Sequence, residues 1–102
     1  MAEVVWTEPA LADLDAIADY IALENPEAAR ALVRRVFAHV GQLVVHPRSG
    51  SEPAELPRGR YRQIVEPPCR IFYRLAGKRV LVLHVMRAER QLRTDRLRRG
   101  QR

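Results

Sequence analysis

Apolar residues recur along this chain at two different spacings, and the change between them divides it. Glu3-Val4-Val5-Trp6 is a short β-type run. Thr7-Glu8-Pro9 then reads as a helix start, with Thr to cap, an acid in the first turn and Pro early. Leu11, Leu14, Ile17, Ala18 and Ile21 follow at steps of three and four, which is one apolar face of a helix. Asp13, Asp15, Asp19 and Glu24 fall mostly on the other faces. Asn25-Pro26-Glu27 repeats the start signal, so Asn25 ends one helix and caps the next. The second helix carries Leu32, Val33, Val36, Phe37, Val40, Leu43 and Val44. Its apolar stripe covers two adjacent faces, wide enough to pack on a sheet and still present surface to something else. Two helices joined this tightly form a hairpin.

His46-Pro47-Arg48-Ser49-Gly50 breaks the second helix, and residues 51–58 read as loop. Three β-type runs follow: Arg60 to Val65, Arg70 to Leu75 and Arg79 to Arg87. Glu66-Pro67-Pro68 separates the first two, and Ala76-Gly77-Lys78 is a short hairpin loop with Gly available for positive φ. The last run is apolar on both faces, so it belongs at the centre of a sheet or beneath a partner. The tail from about residue 91 is mixed in charge, either a short helix or loose. The expected fold is α+β in the order β-α-α-β-β-β. A helix hairpin packs on one face of a small antiparallel sheet, with the first strand added beside the others.

Length and composition narrow the picture. One hydrophobic core fits 102 residues, so residues 1–102 are expected to form a single domain. Hydrophobic residues at 47% and charged residues at 29% are a globular balance, not a disordered one. No apolar run approaches the ~20 residues of a membrane-spanning helix, and no secretory leader is visible. The expected compartment is the cytoplasm. Cys69 is the only cysteine, which excludes an internal disulfide and a CxxC-type zinc site.

Charge is unevenly distributed. Residues 1–51 hold four Arg against seven carboxylates, a net of −3, and residues 52–102 hold fourteen basic residues against five acids, a net of +9. Lys78 is the only Lys beside seventeen Arg. Arg favours planar, bidentate contacts with phosphate or carboxylate. A GC-rich genome also raises Arg content, but it does not segregate it. The basic half therefore points to an anionic partner, nucleic acid or an acidic protein segment.

Residues two apart share a face of a strand. Arg58, Arg60 and Arg62 are thus expected on one side, Arg70 and Arg74 on one side flanking Phe72, and Arg87 and Arg90 at the end of the last strand. If they converge, they form a basic concave surface with Tyr61, Phe72 and Tyr73, suited to phosphate contact and base stacking. The alternative is a set of solvated arginines on an exposed sheet face. Acid–base chemistry is poorly provided for. His84 alternates with Val82 and Met86 and reads as a packed, hydrogen-bonded core residue. His39 reads as surface or interface, and His46 as a helix terminator. Cys69 reads as a buried inert thiol. Ser49 and Ser51 have no evident base, and Asp15 and Asp19 read as a solvated helix face. No metal-ligand spacing is present and no cofactor is expected. Nothing here specifies a self-contained enzyme.

The chain resembles the RelE/ParE toxin superfamily of type II toxin–antitoxin modules, from Val4 to about Leu92. The matching pieces are Val4-Val5-Trp6, Ala10 to Ile17 leading to Tyr20-Ile21, Asn25-Pro26 with Ala28-Ala29, and Pro47-Arg48-Ser49-Gly50. Gly59-Arg60-Tyr61-Arg62 and Arg70-Ile71-Phe72-Tyr73-Arg74, leading into Val80 to Arg87, complete the set. Each piece is degenerate; their order and spacing are specific. The resemblance implies the same helix hairpin on a sheet, and it implies a cognate antitoxin, acidic and partly disordered when free, as partner. Leu14, Ile21, Leu32, Val36 and Phe37 are expected to divide between the core and the antitoxin groove.

The superfamily divides by mechanism. RelE-like members cut mRNA on the ribosome with basic residues and, in one branch, a C-terminal Tyr; here Arg62, Arg87 and Arg90 would be the nuclease set. ParE-like members inhibit DNA gyrase and lack that set. No Tyr, His or Lys follows Arg87, Ala88 stands where the nuclease branch has a basic residue, and Thr94 lies near its Tyr. The resemblance therefore favours the ParE-like branch, with Arg60, Arg62, Arg70, Arg74, Arg87 and Arg90 as target-binding candidates. A ribosome-dependent ribonuclease and a plain nucleic-acid-binding module are the competing readings.

Overall fold

In the computed structural model, which describes residues 1–89 and Leu97, both helices begin at their predicted caps. Thr7 Oγ1 accepts the Ala10 amide at 3.4 Å and opens α1 (Glu8–Ala22). Asn25 Oδ1 accepts the Ala28 amide at 3.0 Å and opens α2 (Pro26–Gly41). The helix continues as a 3-10 turn, Gln42–Val44, and the His46 amide closes it by donating to the Gln42 carbonyl at 2.9 Å. Four strands form one sheet: β1 (Glu3–Trp6), β2 (Tyr61–Glu66), β3 (Cys69–Ala76) and β4 (Arg79–Arg87). Gly77 turns the β3–β4 hairpin at φ 61°, a conformation that costs glycine little.

The strand order is β1-β4-β3-β2. β2, β3 and β4 make the predicted antiparallel meander, but β1 pairs parallel with β4, from Glu3 opposite Arg79 to Trp6 opposite Val82. The sheet is therefore mixed, where the hydrophobic pattern led to an antiparallel one. Thr7 supplies the reason. Its amide at 3.1 Å and its hydroxyl at 2.7 Å both donate to the Val82 carbonyl. That ties the start of α1 to the middle of β4 and continues the parallel pairing of β1 past Trp6.

The sheet has two covered faces. Toward the helices point Ile64, Ile71, Tyr73, Val80, Val82 and Val85, packed with Ala10, Leu14, Leu32, Val36, Val40 and Leu43. On the opposite face Phe72, Leu83 and Met86 form a second apolar cluster with Leu97, flanked by Leu56, Tyr61 and Leu81. The strand that is apolar on both sides is thus central and is covered by its own chain. A bulge makes this possible. Tyr73 is opposite Val82 and Phe72 opposite His84, so Leu83 is an extra residue in β4.

The loop after α2 is fastened to the helix side of the sheet by Tyr73. Its hydroxyl donates to the Pro47 carbonyl at 2.8 Å and accepts the Gly50 amide at 2.9 Å. Ser51 and Gln63 exchange backbone bonds of 3.0 and 2.7 Å, which covers part of the free β2 edge. A Cβ on Gly50 would lie 2.6 Å from both the Gln63 carbonyl oxygen and the Tyr73 hydroxyl. No helix among the described residues is long and apolar enough to cross a membrane. Gly50→Ala is expected to cost about 1–3 kcal/mol, the usual range for overpacking. Urea unfolding would read this as a lower midpoint at unchanged slope.

Candidate basic surface

Period-two alternation sorts the candidate arginines onto different faces, so they do not form the single concave surface that convergence would give. Arg62 is opposite Tyr73 and shares its helix-facing side. Its Nη1 donates to the carbonyls of Gly50 at 2.7 Å and Arg48 at 3.2 Å. Arg70 and Arg74 share the opposite face with Phe72. Phe72 and Tyr73 are fully buried, on opposite faces, and neither is available for base stacking.

Arg70 is largely enclosed. Its guanidinium makes a two-pronged contact with Glu55, at 3.0 and 2.8 Å, and its Nε donates to Gln63 Oε1 at 2.9 Å. It also lies 4.8 Å above the Phe72 ring. The side chains of this pair are 12% and 18% exposed, so the ion pair is worth more than a solvated one, and losing one partner would strand a charge. Nothing in the sequence pattern singled out Glu55, which lies in a loop between Pro53 and Pro57.

Arg87 is on the helix side of the sheet, opposite Cys69, at the end remote from the β3–β4 turn. Its Nε donates to Glu89 at 2.7 Å and its guanidinium lies 5.7 Å from the Tyr20 ring. Near this end Arg35 and His39 both hold Glu66, at 3.3 and 3.1 Å, in an open pocket of about 300 Å³ lined also by Ala38 and Gln42. Arg90 lies outside the described residues.

Arg74 differs from the others. It is half-buried, opposite Tyr61 on one side and Leu81 on the other. Its Nε is buried without a hydrogen-bond partner. Leaving such a donor unmet costs about 1–3 kcal/mol. At the same end of the sheet Arg60 is exposed at the entrance to β2 and Lys78 is exposed in the β3–β4 turn. Arg58, also exposed, holds φ 64° while its amide donates to the Glu52 carboxylate.

Two other titratable side chains meet across the fold. His84 is the expected packed core residue, 8% exposed, with Nδ1 2.6 Å from Asp13 Oδ2. The same carboxylate oxygen accepts the Val85 amide at 3.2 Å, on the β4 edge beyond the end of β1. Asp13 therefore caps a sheet edge. Its position three after Ala10 and four before Ile17, on the border of the buried stripe, was the available signal. Asp15 and Asp19 are exposed, as is His46. Cys69 is buried, and burial raises its thiol pKa above the ordinary 9.0 against the opposing pull of Arg87 and Arg35. Burial likewise raises Tyr73 above the ordinary 10.0, opposed by the Gly50 amide and Arg62. Among the described residues no three His, Cys, Asp or Glu side chains are grouped to hold a metal.

Comparison with known proteins identifies the arrangement. Residues 4–92 match the family model described as the ParE toxin of the type II toxin–antitoxin system parDE. The chain belongs to the ParE toxin family. It is 37% identical over 91 residues to Toxin RelE2 of Caulobacter vibrioides, covering 88% of this chain and 99% of that one. It is 36% identical over 86 residues to the putative toxin Y4kP of Sinorhizobium fredii, covering 84% and 88%. A solved structure of the chromosomal ParDE toxin–antitoxin system from P. aeruginosa matches with a TM-score of 0.72 and 34% identity, over 87% of this chain and 98% of that one. Family and fold are those the sequence resemblance implied.

In this ParE-family toxin the five helix residues proposed for the antitoxin differ in burial. Leu14, Leu32 and Val36 are at most 2% exposed and belong to the core; the wide stripe of α2 is spent on the sheet. Ile21 is half-buried against the same core. Phe37 is exposed, with its ring 4.8 Å from that of Trp6. Tyr20 and Leu23, near the tip of the hairpin, are the larger apolar exposures and were not singled out from the sequence.

Cys69 and Tyr73 keep their protons in the folded toxin at pH values where the unfolded chain loses them. Their contribution to stability is complete below pH 9 and is lost as pH rises through the ordinary thiol and phenol pKa values toward the raised folded ones. Unfolding free energy is expected to fall with pH above about 9. Cys69→Ala is expected to flatten the first part of that decline in a denaturant series from pH 7 to about pH 10.

Proposed function

We propose that this toxin acts by poisoning DNA gyrase, blocks replication in the cytoplasm, and is neutralised by a cognate antitoxin with an acidic segment that is disordered when free. One observation carries the choice of mechanism. The candidate nuclease arginines among the described residues are each held by protein oxygens, Arg62 by two carbonyls and Arg87 by Glu89. A ribonuclease needs such cations gathered at one scissile phosphate, beside a group that moves a proton. Here they lie at different places on the helix side of the sheet, while Arg70 and Arg74 occupy the other side. His84 is buried against Asp13, and Ala88 supplies no cation.

The antitoxin reading draws on the exposed apolar side chains Tyr20, Leu23 and Phe37, and on the excess of basic charge in residues 52–102. A segment that folds on binding can cover both kinds of surface at once.

Purified, antitoxin-free toxin is expected to abolish gyrase supercoiling and to accumulate cleaved plasmid, while mRNA in a parallel translation reaction stays intact. Arg62→Ala and Arg87→Ala are expected to leave mRNA equally intact. Cut mRNA with undisturbed gyrase would move the toxin to the ribosome-dependent ribonucleases.

A further inference from the structure

We propose that Arg74, with Arg60 and Tyr61 beside it, forms a binding site for the phosphodiester backbone of DNA. The gyrase reading explains why DNA would be within reach of the toxin; the site itself stands on the geometry of this end of the sheet.

Three observations bear on it. The first is the orphaned donor. Arg74 Nε is buried on the sheet without an acceptor, and a guanidinium N–H in that state calls for an anion that the described residues do not provide. Elsewhere on the same face the chain provides one, since Glu55 takes the Arg70 guanidinium in a two-pronged contact. The second is the local excess of cations. Arg60, Arg74 and Lys78 come from the entrance to β2, from β3 and from the β3–β4 turn, which register places at one end of the sheet. Arg79 at that end is matched by Glu3 at 3.3 Å. The third is Tyr61, directly opposite Arg74 on the same face, a half-buried aromatic residue at the paired position.

A repeating phosphate chain fits this better than a single small anion does. Three cations on separate segments at one end of the sheet suit a chain of several phosphates, and long side chains can adjust to successive ones. Arg74 would take one phosphate through its guanidinium, the planar donor set in which Arg exceeds Lys, with the side chain turned outward so that the buried Nε is uncovered. Arg60 and Lys78, as exposed point charges, would take its neighbours.

The test is fluorescence anisotropy of a labelled duplex DNA titrated with the free toxin at several salt concentrations. Arg74→Gln is expected to weaken binding about tenfold and to reduce the slope of log affinity against log salt by about 0.9, one phosphate contact. Arg74→Lys is expected to keep the slope and lose part of the affinity. Arg34→Gln, an exposed site on α2, removes the same charge and is expected to leave binding nearly unchanged. Arg60→Gln guards against a folding defect at Arg74, since an exposed residue can be replaced without disturbing the core; it is expected to reduce the slope as well. Equal losses from Arg34→Gln and Arg74→Gln would reduce the effect to overall charge and overturn the site. Capture of polyglutamate but not DNA, lost in Arg74→Gln, would overturn it in favour of an acidic protein. A gyrase cleavage reaction run on the same variants separates the two proposals. Arg74-dependent DNA binding without poisoning keeps the site and removes the gyrase reading. Poisoning by a toxin that does not bind DNA, undiminished in Arg74→Gln, keeps the gyrase reading and removes the site.

Discussion

β3 lies between β2 and β4, and its register decides which side chains meet the helices and which meet the other side. With Ile71 opposite Ile64 and Val85, the residues Ile71 and Tyr73 enter the main core and Arg70, Phe72 and Arg74 point away from it. A slip of one residue would exchange the two sets, driving two arginines under the helices. The Tyr73 hydroxyl holds that register from the side. Its bonds to Pro47 and Gly50 tether the loop that carries the chain from α2 to β2. The same loop supplies the carbonyls that occupy Arg62. Packing, loop position and the availability of arginines are therefore consequences of one alignment.

Much of this was legible in the sequence because local rules were not overridden. Thr7 and Asn25 cap where their neighbours say they should, β4 runs over the predicted Arg79 to Arg87, and Gly77 takes positive φ in its turn. The direction of β1 was not legible, because it rests on pairing with β4 and on Thr7 meeting Val82, contacts across about 75 positions that no local pattern carries. The division of the arginines was half legible. Alternation correctly put Arg70 and Arg74 on one face, but alternation within a strand says nothing about how two strands are phased against each other. Pairing sends Arg62 to the other side. The apolar stripe of α2 looked wide enough for a partner because its width was judged without the sheet; once docked, Leu32 and Val36 are consumed. Glu55 could not be found at all, since a loop carboxylate acquires its role only from where the loop lies.

The charge asymmetry takes on physical meaning once each cation is followed to its acceptor. Arg35 goes to Glu66, Arg70 to Glu55, Arg79 to Glu3 and Arg87 to Glu89, each drawing on the few carboxylates near the sheet. Pairs that are well exposed, such as Arg79 with Glu3, add little stability but still occupy the cation. The enclosed Arg70–Glu55 pair is structural.

The central claim is that the two arginines flanking Phe72 do different work, Arg70 fixing the fold and Arg74 facing a partner. Comparing the unfolding free energies of Arg70→Met and Arg74→Met in the isolated toxin tests it most directly. Arg70→Met removes the two-pronged partner of Glu55 and is expected to cost about 3 kcal/mol. Arg74→Met removes an unmet buried donor and is expected to leave stability unchanged or raise it by up to about 1 kcal/mol. Equal losses in the two variants would mean that Arg74 is another structural cation, and the claim would fail.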